Sequence, residues 1–208
     1  MPLTRLFLAA CLCFTGALTP VLAGEETSTP SRTEIVVSVA EQKLALIRNG
    51  EVLRKYPIST SRFGIGDSYG SYRTPLGHLK ISEKIGDGLA AGAVIRHRNA
   101  TGEVLPANAP GRDPIVSRIL WLDGMESGNR NAYGRCVYIH GTPDEKHLGR
   151  PASYGCIRMR SADVIELYAA IPIGTGVSIV KGLLPGTSPL FAFFAQADSP
   201  KPALRARL

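Results

Sequence analysis

The Asn49-Gly50 dipeptide constrains the fold more than any other feature of this 208-residue chain. It separates two runs of apolar and β-branched residues, Lys43 to Arg48 and Glu51 to Thr60. Asn-Gly tolerates the positive φ angles of a tight type I′ turn, so its position between such runs predicts a β-hairpin. The preceding run, Glu34 to Val39, has a similar composition. The domain is therefore expected to open as antiparallel β-structure.

The rest of the chain predicts further strands and a single helix. Strands are expected where apolar runs lie between turn residues, at His78 to Ser82, Ile115 to Asp123, Cys136 to His140 and Val177 to Lys181. Ser161 is a candidate N-cap for a helix that has one apolar face and ends near Pro172. Residues 83–114 show no clear period and are interpreted as an excursion beside the functional cleft. The expected fold class is mainly β.

The two ends of the chain are expected to lie outside the folded domain. Residues 1–23 have the order of a secretory signal peptide, with a basic start, a short apolar stretch and the cleavage site Val21-Leu22-Ala23. This stretch is too short to span a bilayer, so the protein is expected to be exported, to the periplasm or to the cell wall. Residues 24–33 predict a flexible linker and residues 183–208 a partly disordered C-terminal extension. A lipid anchor at Cys11 and a membrane contact through the extension stay open as alternatives.

The formal net charge of +7 favours an anionic partner. For an exported protein, a carboxylate-rich cell-wall polymer fits this charge better than nucleic acid. The arginines of the predicted loops, Arg62 among them, are interpreted as dispersed surface charge.

The most informative segment joins the strand that ends at His140 to a turn at residues 153–156, Ser-Tyr-Gly-Cys. A cysteine nucleophile needs a base, a fixed direction for that base and N–H groups that face the attacked carbonyl. Gly155 permits a tight bend, at which the N–H groups of residues 154–156 can converge as an oxyanion hole. No acidic residue stands beside His140, so the carbonyl of Gly141 is expected to orient the imidazole, with Asp144 as the alternative.

Two structural interpretations compete with a working thiol. After loss of the signal, Cys136 and Cys156 are the two remaining cysteines in an oxidising compartment and are candidates for a disulfide. On a continuous strand, Cys136 lies about 13 Å from His140 at ~3.3 Å per residue. A Cys156 close to His140 would then be too far away, because a disulfide needs Cα atoms within about 7 Å. A zinc site from both cysteines, His140 and His147 is the second rival, but its spacing matches no common finger pattern.

The His140-Gly-Thr block and the Ser153-x-Gly-Cys156-x-Arg158 block resemble the signature of the L,D-transpeptidases, also called YkuD-type domains. The resemblance extends upstream to the hairpin, to Ser59-Thr60 and to Thr74-Pro75-x-Gly77. It covers residues 34–180, nearly all of the domain predicted over residues 34–182. It implies a YkuD-like β-sandwich of mixed strands, with one short α-helix after the cysteine turn.

The resemblance also implies roles for the site residues. In that family the cysteine attacks the stem-peptide bond between an L-centred third residue, commonly diaminopimelate, and the terminal D-alanine. Cys156 is then the nucleophile and His140 the general base and acid. The other residues are expected to orient the dyad or form the oxyanion hole (Gly141, Ser153, Tyr154 and Gly155), or to contact substrate (Arg158, Tyr138 and Thr142). Many members have a basic residue at the position of Tyr154, which puts the choice of acceptor in doubt.

The predicted function is peptidoglycan L,D-transpeptidation through a cysteine thioester, with neither metal nor organic cofactor. The expected partners are stem peptides, with a wall-anchored lipoprotein as a further candidate, and the protein is expected to be a monomer. The acceptor stays open among another stem, a lipoprotein lysine, a D-amino acid and water, the last of which would make the chain an L,D-carboxypeptidase. A non-catalytic wall-binding module is the alternative from another class. A charged His140 is also expected to lower the pKa of Cys156.

Overall fold

The computed structural model describes residues 32–185. The predicted signal peptide, most of the predicted linker and most of the C-terminal extension therefore lie outside the described residues. The elements in chain order are β1 (Thr33–Ser38), β2 (Lys43–Arg48), β3 (Glu51–Ser59), β4 (Gly77–Ile85), β5 (Ala93–Arg96), β6 (Asn99–Val104), β7 (Val116–Gly124), β8 (Tyr138–Gly141), a 3₁₀ turn (Glu145–His147), β9 (Ile157–Met159), α1 (Ser161–Ala170) and β10 (Gly176–Val180). The mainly β class with one α-helix is confirmed.

All ten strands belong to one mixed sheet, in the order β4-β10-β1-β2-β3-β9-β8-β7-β5-β6. The β1–β10 and β8–β9 pairs are parallel, and the other pairs are antiparallel. Because β4 also pairs with β7, eight of the strands close into a ring and the β5–β6 hairpin extends from β7. The ring encloses the main apolar core, which includes Ile35, Leu44, Ile81, Leu122 and Ile139. Helix α1 joins this core through Val164 and Leu167.

The hairpin predicted at Asn49-Gly50 is confirmed. Arg48 and Glu51 pair across the turn, so the loop has two residues. Asn49 and Gly50 have φ angles of 52° and 84°, as a primed turn requires. This turn fixes the register of β2 against β3 beside the loop. Further along β3, Ile58 pairs with Met159 of β9.

A second hairpin, β5–β6, occupies part of the segment that was interpreted as an irregular excursion. Its turn residues, His97 and Arg98, have φ angles of 49° and 68°. Two-residue turns of this kind normally use Asn or Gly, because most side chains disfavour positive φ. The sequence therefore lacks the signal by which the hairpin would have been recognised.

Three further expectations need correction around the site. Strand β8 begins at Tyr138 and not at Cys136, because Cys136 has a left-handed φ of 57° and belongs to the preceding turn. The cysteine turn is followed directly by the short strand β9 (Ile157–Met159), at a place where no strand was predicted. Ser161 is the first helical residue and not the N-cap; its N–H donates to Glu145 Oε1 at 3.0 Å, so the 3₁₀ turn supplies the acceptor at this helix end. Within residues 32–185 no helix has the length and apolarity to cross a membrane.

Candidate active site

The parallel pairing of β8 with β9 places the predicted dyad on one face of the sheet. His140 lies opposite Arg158 in this ladder. Residues opposite each other share a face, and side chains alternate along a strand, so Cys156, two residues before Arg158, is directed to the same face as His140. The Cα atoms of such diagonal neighbours lie about 8 Å apart, which two side chains can span.

His140, Cys156 and Arg158 line a common cavity of about 180 Å³ together with Asp113, Ile115, Ser153 and Tyr154. Two of the residues predicted to contact substrate are not part of this lining. Tyr138 packs edge-on against Trp121 with a ring-centroid distance of 5.3 Å and is 6% exposed, so it lies beneath the site. Thr142 is fully buried, and its hydroxyl donates to a carboxylate oxygen of Asp113.

A backbone carbonyl orients the imidazole of His140. Its Nδ1 lies 2.8 Å from the carbonyl oxygen of Gly141. Since a carbonyl only accepts, Nδ1–H is the donor, and in the neutral ring Nε2 keeps its lone pair for use as a base. Burial lowers the pKa of His140 below its ordinary value of 6.5, although the Gly141 hydrogen bond and Asp113 oppose this. Asp144, the alternative orienting group, instead lies 2.7 Å from Nδ1 of His147.

The thiol of Cys156 is also held in its neutral form. Burial raises its pKa to about 11, and the nearby cations Arg135 and Arg158 only partly offset this. The lowered pKa of Cys156 that was expected beside a charged His140 is therefore not found in the resting site, because desolvation penalises both the thiolate and the imidazolium. The S–H group donates to the carbonyl oxygen of Cys136 at 3.4 Å. Within the described part of the chain, no hydrogen bond joins Cys156 to His140 in this resting arrangement.

The two cysteines lie closer together than the strand argument predicted. That argument assumed an extended chain from Cys136 to His140, whereas the left-handed φ of Cys136 turns its carbonyl toward Cys156. Both thiols are nevertheless free and half-buried. Among residues 32–185, no three His, Cys, Asp or Glu side chains gather as they would around a metal ion.

A set of hydrogen bonds fixes the turn that carries the nucleophile. The Ser153 hydroxyl donates to the carbonyl of Cys156 at 2.6 Å and accepts from the N–H of Gly155 at 3.2 Å. Thr74 Oγ1 donates to the carbonyl of Gly155 at 3.0 Å, and Gly155 has a φ of 120°, which suits glycine. The Gly155 N–H is thus already engaged. Outside the regular elements of residues 32–185, no hydrogen bond is donated by the N–H of Tyr154 or of Cys156, which leaves this pair for an oxyanion.

Asp113 is a member of the site that the sequence analysis missed. One of its carboxylate oxygens accepts from Thr142 and the other from Arg158 Nη1. Arg158 is 5% exposed, and its Nε and Nη2 atoms are buried without a hydrogen-bond partner. Asp113 makes no hydrogen bond to His140 among the described residues, but its charge favours the protonated imidazole and so opposes the lowering of the His140 pKa. It lies in the segment just before β7, where no local pattern points to the site.

Tyr154 has an aromatic side chain, and the structure places a cation beside it. Tyr154 is 59% exposed and contacts Phe63 and Tyr72, with ring-centroid distances of 5.6 and 5.9 Å. The guanidinium carbon of Arg62 lies 4.3 Å from the centroid of the Tyr154 ring, and Arg62 also donates to its hydroxyl. Arg62 was interpreted as dispersed surface charge. The pairing of β3 with β9 brings it to the site, because it follows β3 by only a few residues.

Comparison with known proteins identifies the family. The protein-family model of the L,D-transpeptidase catalytic domain (YkuD) matches residues 32–179. YqjB of Bacillus subtilis (strain 168) is 29% identical over 162 residues, which are 78% of this chain and 79% of YqjB. YkuD of the same strain is 32% identical over 70% of this chain and 64% of its own length. YcfS of Escherichia coli (strain K12) is 33% identical over 72% of this chain and 44% of its own length.

Two solved structures are also similar. An L,D-transpeptidase from Mycobacterium smegmatis has 20% identity and a TM-score of 0.47, covering 72% of this chain and 59% of that one. L,D-transpeptidase 3 from Mycobacterium tuberculosis, in complex with a faropenem-derived adduct, has 19% identity and a TM-score of 0.46, covering 72% and 60%. The match of the family model over most of the described domain establishes that the chain belongs to the L,D-transpeptidase family of enzymes.

Proposed function

We propose that this protein is a peptidoglycan L,D-transpeptidase that uses Cys156 as its nucleophile and His140 as its general base and acid. The observation that carries the proposal is the shared cavity of the two side chains, with His140 held by Gly141 so that Nε2 is its basic atom. The proposed substrate is a tetrapeptide stem that ends in D-alanine. The proposed location is the periplasm, in agreement with the signal peptide predicted at residues 1–23.

The first half-reaction begins from a neutral thiol and a neutral imidazole, because burial raises one pKa and lowers the other. The thiol turns from the Cys136 carbonyl toward His140 and transfers its proton to Nε2 as the sulfur attacks the carbonyl carbon. The N–H groups of Tyr154 and Cys156 donate to the oxyanion. The C–N bond then breaks, and His140 returns the proton to the departing D-alanine amine. The product is a thioester on Cys156.

The second half-reaction reverses these roles. An acceptor amine attacks the thioester carbonyl, His140 takes a proton from the amine nitrogen, and the C–S bond breaks. The proton then passes to the sulfur and restores the thiol. The reaction requires no cofactor and no redox step, and atoms and charge balance over the cycle.

Arg158 is proposed to bind a carboxylate of the stem peptide. Arg158 lines the cavity together with Cys156 and His140, and its Nε and Nη2 atoms are buried without a hydrogen-bond partner in the resting structure. A guanidinium can grip carboxylate oxygens at two points. Asp113 holds the Nη1 side of Arg158, so it fixes the direction in which the remaining donors lie.

Intact-mass measurement after exposure to a carbapenem tests the proposal, because this class acylates the cysteine of the family. The wild type and Cys136→Ala should gain one adduct, whereas Cys156→Ala should gain none. Incubation with purified muropeptides then identifies the products: dimers indicate cross-linking and shortened stems indicate carboxypeptidase action. A folded protein that forms no adduct and releases no D-alanine would favour the wall-binding module instead.

A further inference from the structure

A second cavity of about 420 Å³ lies next to the catalytic one. Its charged and titratable lining consists of Arg62, Arg150, Arg158, Asp113, Asp144 and His147. We call this cavity the basic annex, since three arginines face two carboxylates and its net charge is positive even when His147 is neutral. None of the roles assigned so far uses Arg62 or Arg150.

The basic annex adjoins the catalytic cavity. The two cavities share Asp113, Tyr154 and Arg158 in their linings. Arg158 is the residue directly opposite His140 in the β8–β9 ladder. The group that exchanges a proton with His140 is the departing or incoming amine, so a carboxylate carried by that amine can extend from the catalytic cavity into the adjoining annex.

The positive charge of the basic annex is not neutralised by the protein. Asp113 pairs with Arg158, and Asp144 pairs with His147 and lies 3.8 Å from Arg158. Arg62 and Arg150 are exposed, and neither has a carboxylate partner among residues 32–185. Two guanidinium groups therefore remain available to an anionic ligand.

Arg62 is also held by contacts with neighbouring aromatic side chains. Its guanidinium lies 4.3 Å from the ring centroid of Tyr154 and 5.0 Å from that of Phe63. Stacking on two rings restricts the rotamers of a long side chain, so less entropy is lost when it binds an anion. Arg62 thus has the properties of a preorganised anion-binding group in the lining of the annex.

We propose that the basic annex binds the carboxylate of the amine component of the reaction, first that of the departing D-alanine and then that of the acceptor. The inference rests on the proposed transpeptidase function and names its acceptor class. By microscopic reversibility, D-alanine itself returns to the thioester along the path by which it left, and an acceptor with the same arrangement of amine and carboxylate can use that path. A site that holds the carboxylate of D-alanine therefore selects acceptors that have a carboxylate on the carbon that bears the amine.

This requirement divides the four acceptors left open by the sequence. A free D-amino acid meets it, and so does the distal amine of diaminopimelate on a second stem. The side-chain amine of a lipoprotein lysine has no carboxylate on the same carbon, and water has none. The transfer forms a C–N bond and breaks the C–S bond, with the proton leaving the amine through His140, as in the cycle above.

The test is amine exchange into a tetrapeptide stem, with D-methionine and D-methioninamide as matched acceptors that differ in their carboxylate. Mass spectrometry of the stem gives kcat/KM for each acceptor. The wild type should prefer D-methionine by about tenfold to a hundredfold, the range expected when hydrogen bonds to a charged group are lost. In the double variant Arg62→Gln/Arg150→Gln, the ratio of kcat/KM for D-methionine to that for D-methioninamide should fall to nearly one. The single variant Arg62→Lys, in which Arg150 is unchanged, should keep part of the preference.

A charge-matched control separates the annex from the net charge of the surface. Arg48 and Arg130 are also exposed and unpaired within the described domain, and both lie outside the two cavities. Arg48→Gln/Arg130→Gln should therefore keep the wild-type preference. The proposal is overturned if the Arg62/Arg150 variant keeps the preference, if the control loses it, or if the wild type uses both acceptors equally. Use of neither acceptor, together with no carbapenem adduct, would reject the transpeptidase function itself.

Discussion

Thr74→Val should destabilise the domain and slow acylation together, because the Thr74 hydroxyl connects two segments of the site. It is fully buried, accepts from the N–H of Ser61 at 3.0 Å and donates to the carbonyl of Gly155 at 3.0 Å. Valine has nearly the same shape but leaves both backbone groups without a partner. At about 2 kcal/mol for each unpaired buried group the loss is about 4 kcal/mol. The additional buried methyl group offsets about 0.8 kcal/mol of this.

The free energy of unfolding should therefore fall by about 3 kcal/mol, and the Tm by roughly 6–12 °C for a domain of this size. Urea unfolding and thermal circular dichroism give both quantities, and the rate of carbapenem adduct formation reports on the cysteine turn in the protein that remains folded. Thr101→Val is the matched control. Thr101 is exposed and donates to the carbonyl of Val94 at 3.2 Å, so its loss should change stability by less than about 0.5 kcal/mol. Equal stability of Thr74→Val and Thr101→Val would refute the role of the Thr74 hydroxyl in joining Ser61 to Gly155.

Three further predictions concern the dyad and its supports. The rate of alkylation of Cys156 by iodoacetamide should be low at neutral pH and should rise with pH, with a midpoint near the Cys156 pKa of about 11. A midpoint at or below neutral pH would instead show a preformed ion pair between Cys156 and His140. Asp113→Asn should shift the acid limb of the pH profile of kcat/KM to lower pH, because the lost carboxylate no longer favours the protonated imidazole of His140. Asp144→Asn should leave that limb in place, since Asp144 pairs with His147, and equal shifts in the two profiles would contradict the assignment. Gly141→Ala should lower the free energy of unfolding, measured in urea, by about 1–3 kcal/mol, since a Cβ there meets a backbone carbonyl oxygen at 2.5 Å. Gly176→Ala, with open space around it, should leave stability nearly unchanged, and a similar loss for both variants would argue against steric exclusion at Gly141.

Local sequence patterns were sufficient to predict the fold where a turn or an apolar run specifies its own conformation. Asn49-Gly50 predicts the hairpin because both residues accept positive φ, and β2 has the predicted bounds. The β5–β6 hairpin could not be predicted in this way, since His97 and Arg98 adopt similar angles only within the folded chain. Cys136 was assigned to a strand for the same reason: its left-handed conformation is held by surrounding structure and leaves no mark in composition.

The residues of the candidate site also fall into two groups, those that a local motif predicts and those that only the fold brings together. His140 and Cys156 are recognisable because each stands in a short local motif. Asp113, Arg62 and Arg150 reach the site through contacts between segments distant in the chain, such as the pairing of β3 with β9, and no spacing encodes them. The protonation state of the dyad also depends on burial, which a sequence does not state for individual side chains.

The connection between β8 and β9 has a consequence for how such enzymes diversify. Residues 142–156 link two strands whose mutual register is fixed by the ladder between them, and this connection carries Asp144, His147 and Arg150. Substitutions and changes of length in its middle part can therefore reshape the annex without displacing the imidazole from the sulfur. Natural variation along this connection is then free to alter which amines are accepted, while the bond-breaking step is inherited unchanged.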